Sequence, residues 1–193
     1  LGVSDPGGSG LGGITSRLIT FADGGAAAID GSTPAPNAAD PLKLLALTEA
    51  EEPYGYAAVS VPTTLATLEH ARERYGTMEL GRLLAPAIEI AEDGYRLSPN
   101  SIAWARGYLD EILDSRYMRF LVLDRGARLG QPGQLFCRPD LLETYRQIAA
   151  YGPEVFYRGA IADRIAADMA ENGGFVRKGD LALYRAAEKH PLR

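Results

Sequence analysis

A run of glycines near the start of the chain, GGSGLGG at residues 7–13, limits what the next segment can become. Residues 8–13 match G-x-G-x-x-G, the pattern of dinucleotide-binding loops, which requires a strand before the loop and a helix directly after it. The segment that follows, ITSRLITF at residues 14–21, is rich in β-branched and aromatic side chains and predicts a strand. We therefore predict that the glycines serve a close backbone approach or a positive φ, and that the loop binds no nucleotide.

Local patterns predict strands mainly towards the start of the chain. Residues 23–25 predict a turn, so the strand at 14–21 would return as AAAID at 26–30 and form a hairpin. A further strand is predicted over residues 56–61. A second hairpin is predicted over residues 120–129.

Apolar residues at helical spacing predict helices in the rest of the chain. They cover residues 42–49, a segment opening at Pro62 and ending at Gly76, a segment ending at Gly94, residues 101–116, a segment ending at Gly152, and a segment opening at Pro153 and ending at 172–174. Pro86 lies inside the helix that ends at Gly94 and predicts a kink or a split there.

Composition excludes several classes of function. The chain of 193 residues has a net charge of -5 and no basic cluster, which disfavours nucleic acid as a partner. Its one cysteine, Cys137, excludes an intrachain disulfide and a cysteine-rich metal site. No apolar run approaches the roughly 18 residues of a membrane span. We expect no metal and no other cofactor, His70 on a solvated helix face, and Asp180 as a helix cap.

Long segments carry a resemblance that local patterns do not. They are LGVSDPGGSGLGG at 1–13, AAAID at 26–30 with PAP at 34–36, and the blocks at 61–95 and 131–184. In this order they resemble the large subunit of the γ-glutamyltranspeptidase family over nearly the whole chain.

The resemblance implies an N-terminal-nucleophile hydrolase fold, an αββα sandwich of the α/β or α+β class. Residues 1–193 would form a portion of one domain, truncated at both ends relative to the family's large subunit. In that family a precursor cuts itself, and a threonine freed at the start of the small subunit is the nucleophile, with its own α-amino group as the base. The catalytic small subunit is therefore expected on another chain, and no catalytic residue on this one.

The resemblance also implies a small-molecule amide substrate. The sequence leaves the compartment open, although the family favours a periplasmic or secreted protein. The first hypothesis is a γ-glutamyltransferase-like amide hydrolase or acyltransferase. An alternative is an acylase acting on a non-glutamyl amide, such as a dicarboxylic monoamide or a β-lactam side chain. A second alternative is a non-catalytic binding homologue, which the absence of a threonine at the start of the partner chain would favour.

One departure from the family pattern concerns the donor. In the family an arginine and then a glutamate follow the isoleucine-aspartate pair, and the arginine grips the donor's α-carboxylate. In this chain Ser32 and Thr33 stand at these positions, after Ile29 and Asp30. Ser32 and Thr33 are thus the candidate substrate-binding residues, and Arg17 in the preceding strand is a candidate replacement for the lost guanidinium.

Overall fold

The computed structural model of the protein describes residues 2–5, 8–48, 55–123 and 128–191. Helices and strands are both present, which confirms the expected α+β class. The strands are β1 (Arg17–Thr20), β2 (Ala26–Asp30), β3 (Tyr95–Arg96), β4 (Leu135–Phe136) and β5 (Ala187–Lys189). The α-helices are α1 (Pro41–Thr48), α2 (Thr64–Tyr75), α3 (Leu80–Asp93), α4 (Pro99–Gly107), α5 (Leu109–Asp114), α6 (Arg116–Val122), α7 (Pro139–Tyr151), α8 (Glu154–Tyr157), α9 (Ala160–Glu171) and α10 (Lys178–Leu183).

The chain divides into two compact units. Unit 1 comprises residues 1–10 and 84–146, and unit 2 comprises residues 11–83 and 147–193. Each unit is therefore built from segments that are distant in sequence. The expectation that residues 1–193 form a portion of one domain stays a prediction.

Unit 2 contains an antiparallel sheet with the strand order β1-β2-β5. The hairpin of β1 and β2 and its turn confirm the sequence prediction, although β1 is shorter than the predicted 14–21. Helix α2 packs against β2, where Ile29 is only 1% exposed. The helices α8, α9 and α10 pack against one another and bury Phe156, Ile161 and Leu181.

Unit 1 is organised around a short antiparallel pair, β3 and β4, and the helices α4 to α6. The rings of Tyr95 and Phe136 lie opposite each other on this pair, with centroids 6.0 Å apart. A cluster of Ala105, Ile112 and Leu123 forms a buried core, against which partly buried apolar side chains of the helices pack.

Two helices end at the glycines where the sequence predicts their ends. Helices α3 and α7 stop just before Gly94 and Gly152, whose φ values of 82° and 76° are left-handed and permitted to glycine. Pro86 does not split α3, which stays one helix. The proline removes one N–H donor, while its neighbours keep the helical hydrogen bonds and the apolar face.

Five local predictions are wrong. The helix predicted to open at Pro153 is two helices, α8 and α9, and the helix predicted over 101–116 is also divided. Residues 56–58 form a 3₁₀ turn and not a strand, because the N–H of Ala58 bonds back to the carbonyl of Gly55. The helix predicted to open at Pro62 begins at Thr64. The hairpin predicted over 120–129 fails at its start, since residues 120–122 belong to α6. Its predicted turn at 124–126 lies outside the described residues.

Candidate functional site

The segment that leaves β2 carries the first candidate residue, Ser32. Its N–H and its hydroxyl both donate to Oδ1 of Asp30, at 2.9 and 2.5 Å. These hydrogen bonds lower the pKa of the Asp30 carboxyl, and the Lys189 ammonium, 4.0 Å from Oδ2, adds to the effect against a partial burial that opposes it. The Ser32 hydroxyl hydrogen is therefore engaged, and the charge of Lys189 is offset by Asp30.

The second candidate, Thr33, is half-buried beside the start of α2. Its hydroxyl donates a 2.6 Å hydrogen bond to the carbonyl of Val61. The oxygen keeps acceptor capacity, but the hydrogen is committed to the fold. The serine and the threonine thus both hold the local backbone.

Gly31 lies where several segments of unit 2 meet. A Cβ on Gly31 would overlap the carbonyl oxygen of Thr15 and the hydroxyl of Thr67. The hydroxyl of the fully buried Thr63 lies 2.5 Å from the carbonyl oxygen of Gly31 and 2.9 Å from that of Gly13. The absence of a side chain at Gly31 lets the end of β2, the glycine loop and the N-terminus of α2 come this close.

The glycine loop offers carbonyls to a helix. The N–H of Thr63 donates to the carbonyl of Gly13 at 3.1 Å, and the hydroxyl of Thr64 donates to that of Gly12 at 2.9 Å. The loop is followed by strand β1 and not by the helix that a dinucleotide site requires, as the sequence predicted. Within the loop, Gly13 requires a glycine because its φ of 80° is left-handed, whereas a Cβ on Gly10 or Gly12 would meet no close contact.

Arg17 lies opposite Ile29 in the register of β1 and β2, so both residues share one face of the sheet. Glu188 of β5 also pairs with Ile29, and this face is the one on α2. Asp30 belongs to the alternate face, together with Lys189. The sheet therefore places Arg17 on the face opposite Asp30, and the sequence could not show this.

Glu188 ties β5 to α2. Its Oε1 accepts hydrogen bonds from the hydroxyl of Tyr75 and the Nε of Arg74, both at 3.0 Å, and lies 3.2 Å from Nε2 of His70. These partners, Tyr75 foremost, lower the pKa of the Glu188 carboxyl. We expected His70 to lie on a solvated face of α2, but strand β5 contacts this face through Glu188.

Asp180 was predicted as a helix cap, and the structure confirms it: Oδ2 accepts the N–H of Arg177 at 2.8 Å at the start of α10. The same buried carboxylate also holds the loop that follows Ser32 and Thr33. Its Oδ1 accepts the backbone N–H and the side-chain amide of Asn37, at 3.0 and 2.8 Å. Local sequence patterns could not predict this contact, because the two residues are 143 positions apart.

The described residues form neither a cluster of potential metal ligands nor a helix that could cross a membrane. Within residues 2–5, 8–48, 55–123 and 128–191, no group of three or more His, Cys, Asp or Glu side chains is placed to hold a metal ion. In the same part of the chain, no helix has the length and apolar character needed to cross a bilayer.

The family profile described as Gamma-glutamyltranspeptidase matches residues 1–193. The chain belongs to the γ-glutamyltranspeptidase family. Membership of the N-terminal-nucleophile hydrolase superfamily follows from it. Among curated relatives, a glutathione hydrolase proenzyme of Pseudomonas sp. (strain A14) is 31% identical over 100% of this chain and 34% of its own length. An acylase ACY 1 proenzyme of Pseudomonas sp. (strain V22) is 32% identical over 95% of the chain and 34% of its length.

The solved γ-glutamyltranspeptidase of Helicobacter pylori superposes with a TM-score of 0.90 at 32% identity, covering 100% of this chain and 56% of that one. This γ-glutamyltranspeptidase-family chain spans about a third of the length of the curated relatives named above. The substrate-binding roles of Ser32, Thr33 and Arg17 stay predictions.

Proposed function

We propose that the protein containing this chain is an amide hydrolase or acyltransferase that works through an acyl-enzyme. A threonine at the start of a small subunit, which is not part of this chain, attacks the amide carbonyl through its hydroxyl oxygen while its own α-amino group takes the hydroxyl proton. The carbon–nitrogen bond breaks, the amine leaves with that proton, and water or an acceptor amine resolves the ester. The names glutathione hydrolase and acylase among the relatives support this reaction class.

This chain would supply one wall of the acyl pocket, at Asp30 to Thr33. The observation that carries the proposed specificity is the Ser32 hydroxyl bonded to Asp30, with Lys189 offset by the same carboxylate. A donor carboxylate placed here meets no uncompensated cation and is desolvated at a cost. We therefore favour acyl groups that place no carboxylate here, such as the β-lactam side chain of the acylase alternative.

The experiment compares three p-nitroanilides with the full-length protein: γ-glutamyl, glutaryl and pentanoyl. We expect the highest kcat/KM for the pentanoyl compound and values about ten- to a hundredfold lower for the γ-glutamyl and glutaryl compounds, because both carry a carboxylate that would gain no charge-assisted hydrogen bond here. A tenfold or greater preference for the γ-glutamyl compound would show that its head group has another anchor. Sequencing the start of the small subunit tests the reaction class separately: any residue other than threonine there, with no turnover, would favour the binding homologue.

A further inference from the structure

Unit 1 contains a cavity of about 630 Å³ that the proposed acyl pocket does not use. This volume lies within the roughly 300–1,000 Å³ of small-molecule sites. Its walls come from the N-terminal segment, the β3–β4 pair, and helices α4 and α6. We propose that the cavity binds a small zwitterion with an apolar side chain: an α-amino acid or a dipeptide with free ends.

The negative group in the cavity wall is the carboxylate of Asp5. Two backbone hydrogen bonds hold this residue, because the N–H groups of Gly8 and Ser9 donate to its carbonyl at 3.2 and 3.0 Å. A Cβ on Gly8 would come within 2.5 Å of Asp5 Oδ2, so the glycine makes room for the carboxylate. Asp5 forms no ion pair with another described residue. Its charge is therefore available to a ligand ammonium.

The positive group is the guanidinium of Arg96 on β3. The strand pair is pinned beside it by two 2.9 Å hydrogen bonds, from Leu97 N–H to the Gln134 carbonyl and from Gly133 N–H to the Leu97 carbonyl. Arg96 Nη1 donates to the Gly133 carbonyl at 2.9 Å, and Arg96 has no carboxylate partner among the described residues. Its Nε and Nη2 remain directed donors for a ligand carboxylate.

Two opposite charges thus line one cavity without pairing with each other. An anionic ligand would satisfy Arg96 and face Asp5, and a cationic ligand would do the reverse. A ligand with one ammonium and one carboxylate satisfies both and leaves no charge unmatched. This selects a zwitterion.

The apolar wall selects the side chain of the ligand. It is formed mainly by Leu97, Ile102, Trp104, Val122 and Leu129. Trp104, Val122 and Leu129 pack against the buried core of unit 1, so this wall is backed by fixed side chains. A Cβ on Gly130 would overlap Leu97, so the absence of a side chain at Gly130 lets the Leu97 side chain take its place in this wall. An aliphatic or aromatic side chain gains by burial here, whereas glycine offers none.

Calorimetric titration of the full-length protein tests the proposal with L-phenylalanine and with glycyl-L-phenylalanine, which separate the amino acid from the dipeptide. N-acetyl-L-phenylalanine lacks the ammonium, L-phenylalaninamide lacks the carboxylate, and glycine lacks the apolar side chain. We expect saturable binding of at least one of the first two and about tenfold weaker binding of its analogues. Absence of binding by both up to 10 mM (about 2.7 kcal/mol), or equal binding of the analogues, overturns the proposal.

Variants then place the ligand in the cavity. Asp5→Asn and Arg96→Gln should each weaken the binding of the better probe about tenfold, with the melting temperature unchanged. Asp110→Asn and Arg106→Gln remove exposed charges of unit 1 that do not line the cavity, and they should bind as the parent does. Parental affinity in both cavity variants would place the ligand elsewhere and overturn the proposal.

Discussion

The hydroxyl of Ser32 donates a 2.5 Å hydrogen bond to the carboxylate of Asp30, two residues earlier. The same oxygen accepts the Ser32 N–H, which closes an Asx turn as the chain leaves β2. A serine at this position thus turns the chain and stabilises the ionised carboxylate. It adds no positive charge to the wall of the proposed acyl pocket.

Replacing Ser32 by arginine should therefore change specificity. Ser32→Arg adds a guanidinium that can pair with a donor carboxylate, and we expect kcat/KM for γ-glutamyl-p-nitroanilide to rise about tenfold, that is by about 1.4 kcal/mol. The rise should be smaller for the pentanoyl compound, which has no carboxylate. Ser32→Gln is the matched control, long and neutral. An equal gain in both variants would show that length and not charge is responsible.

The close approach at Gly31 predicts a severe effect of the smallest side chain. Gly31→Ala would force its Cβ against the backbone carbonyl oxygen of Thr15 and against the buried hydroxyl of Thr67, which is held by a hydrogen bond to the carbonyl of Thr63. We expect loss of soluble full-length protein, or a destabilisation of several kcal/mol, about 3 or more. Gly12→Ala is the control, because its Cβ would meet only Pro62 at 3.9 Å. Similar melting temperatures for the two variants would contradict this account.

The buried hydroxyl of Thr63 predicts a measurable contribution to stability. Thr63→Val keeps the shape but leaves the carbonyl of Gly31 without its donor, which should cost about 1–3 kcal/mol of unfolding free energy in urea denaturation. Thr63→Ser keeps the hydroxyl and should lose less. Thr20→Val, on an exposed position of β1, should stay within about 0.5 kcal/mol of the parent. A parental value for Thr63→Val would mean that the hydroxyl is dispensable.

The pKa of Glu188 is lowered in the folded protein, so its contribution to stability depends on pH. A carboxyl whose pKa is depressed in the folded protein stabilises the fold at pH values above its ordinary pKa of 4.5. This stabilisation is lost as the pH falls through the pKa of the folded protein. The melting temperature of Glu188→Gln should thus lie below that of the parent at pH 7, and the difference should vanish in strong acid.

Glu171→Gln, at the exposed end of α9, is the control for a general loss of negative charge. Its melting temperature should follow that of the parent at both pH values. A Glu188→Gln difference of the same size at pH 3 and pH 7 would exclude the ionised contacts with Tyr75, Arg74 and His70 as its cause.

Local features of the structure follow from the sequence because neighbouring residues decide them. The hairpin of β1 and β2 arises from two β-prone runs with a glycine turn between them, and the end of α3 from Gly94 at a left-handed φ. The segments that resemble the γ-glutamyltranspeptidases identified the family without a structure, because they are long and follow one another in the family's order along the sequence.

Only the tertiary structure decided how the candidate residues are used. Strand β5 is short, polar and exposed, and its pairing with β2 brings Lys189 to Asp30 from 159 residues away in the chain, which no local pattern contains. The alternation of the sheet puts Arg17 on the opposite face from Asp30, and the fold commits the hydroxyls of Ser32 and Thr33 to Asp30 and Val61. The sequence by itself determined which side chains are present, and its local patterns determined where turns and helix ends lie. Charge pairing and close backbone approach depend on distances between segments remote in sequence, and those exist only once the chain has packed.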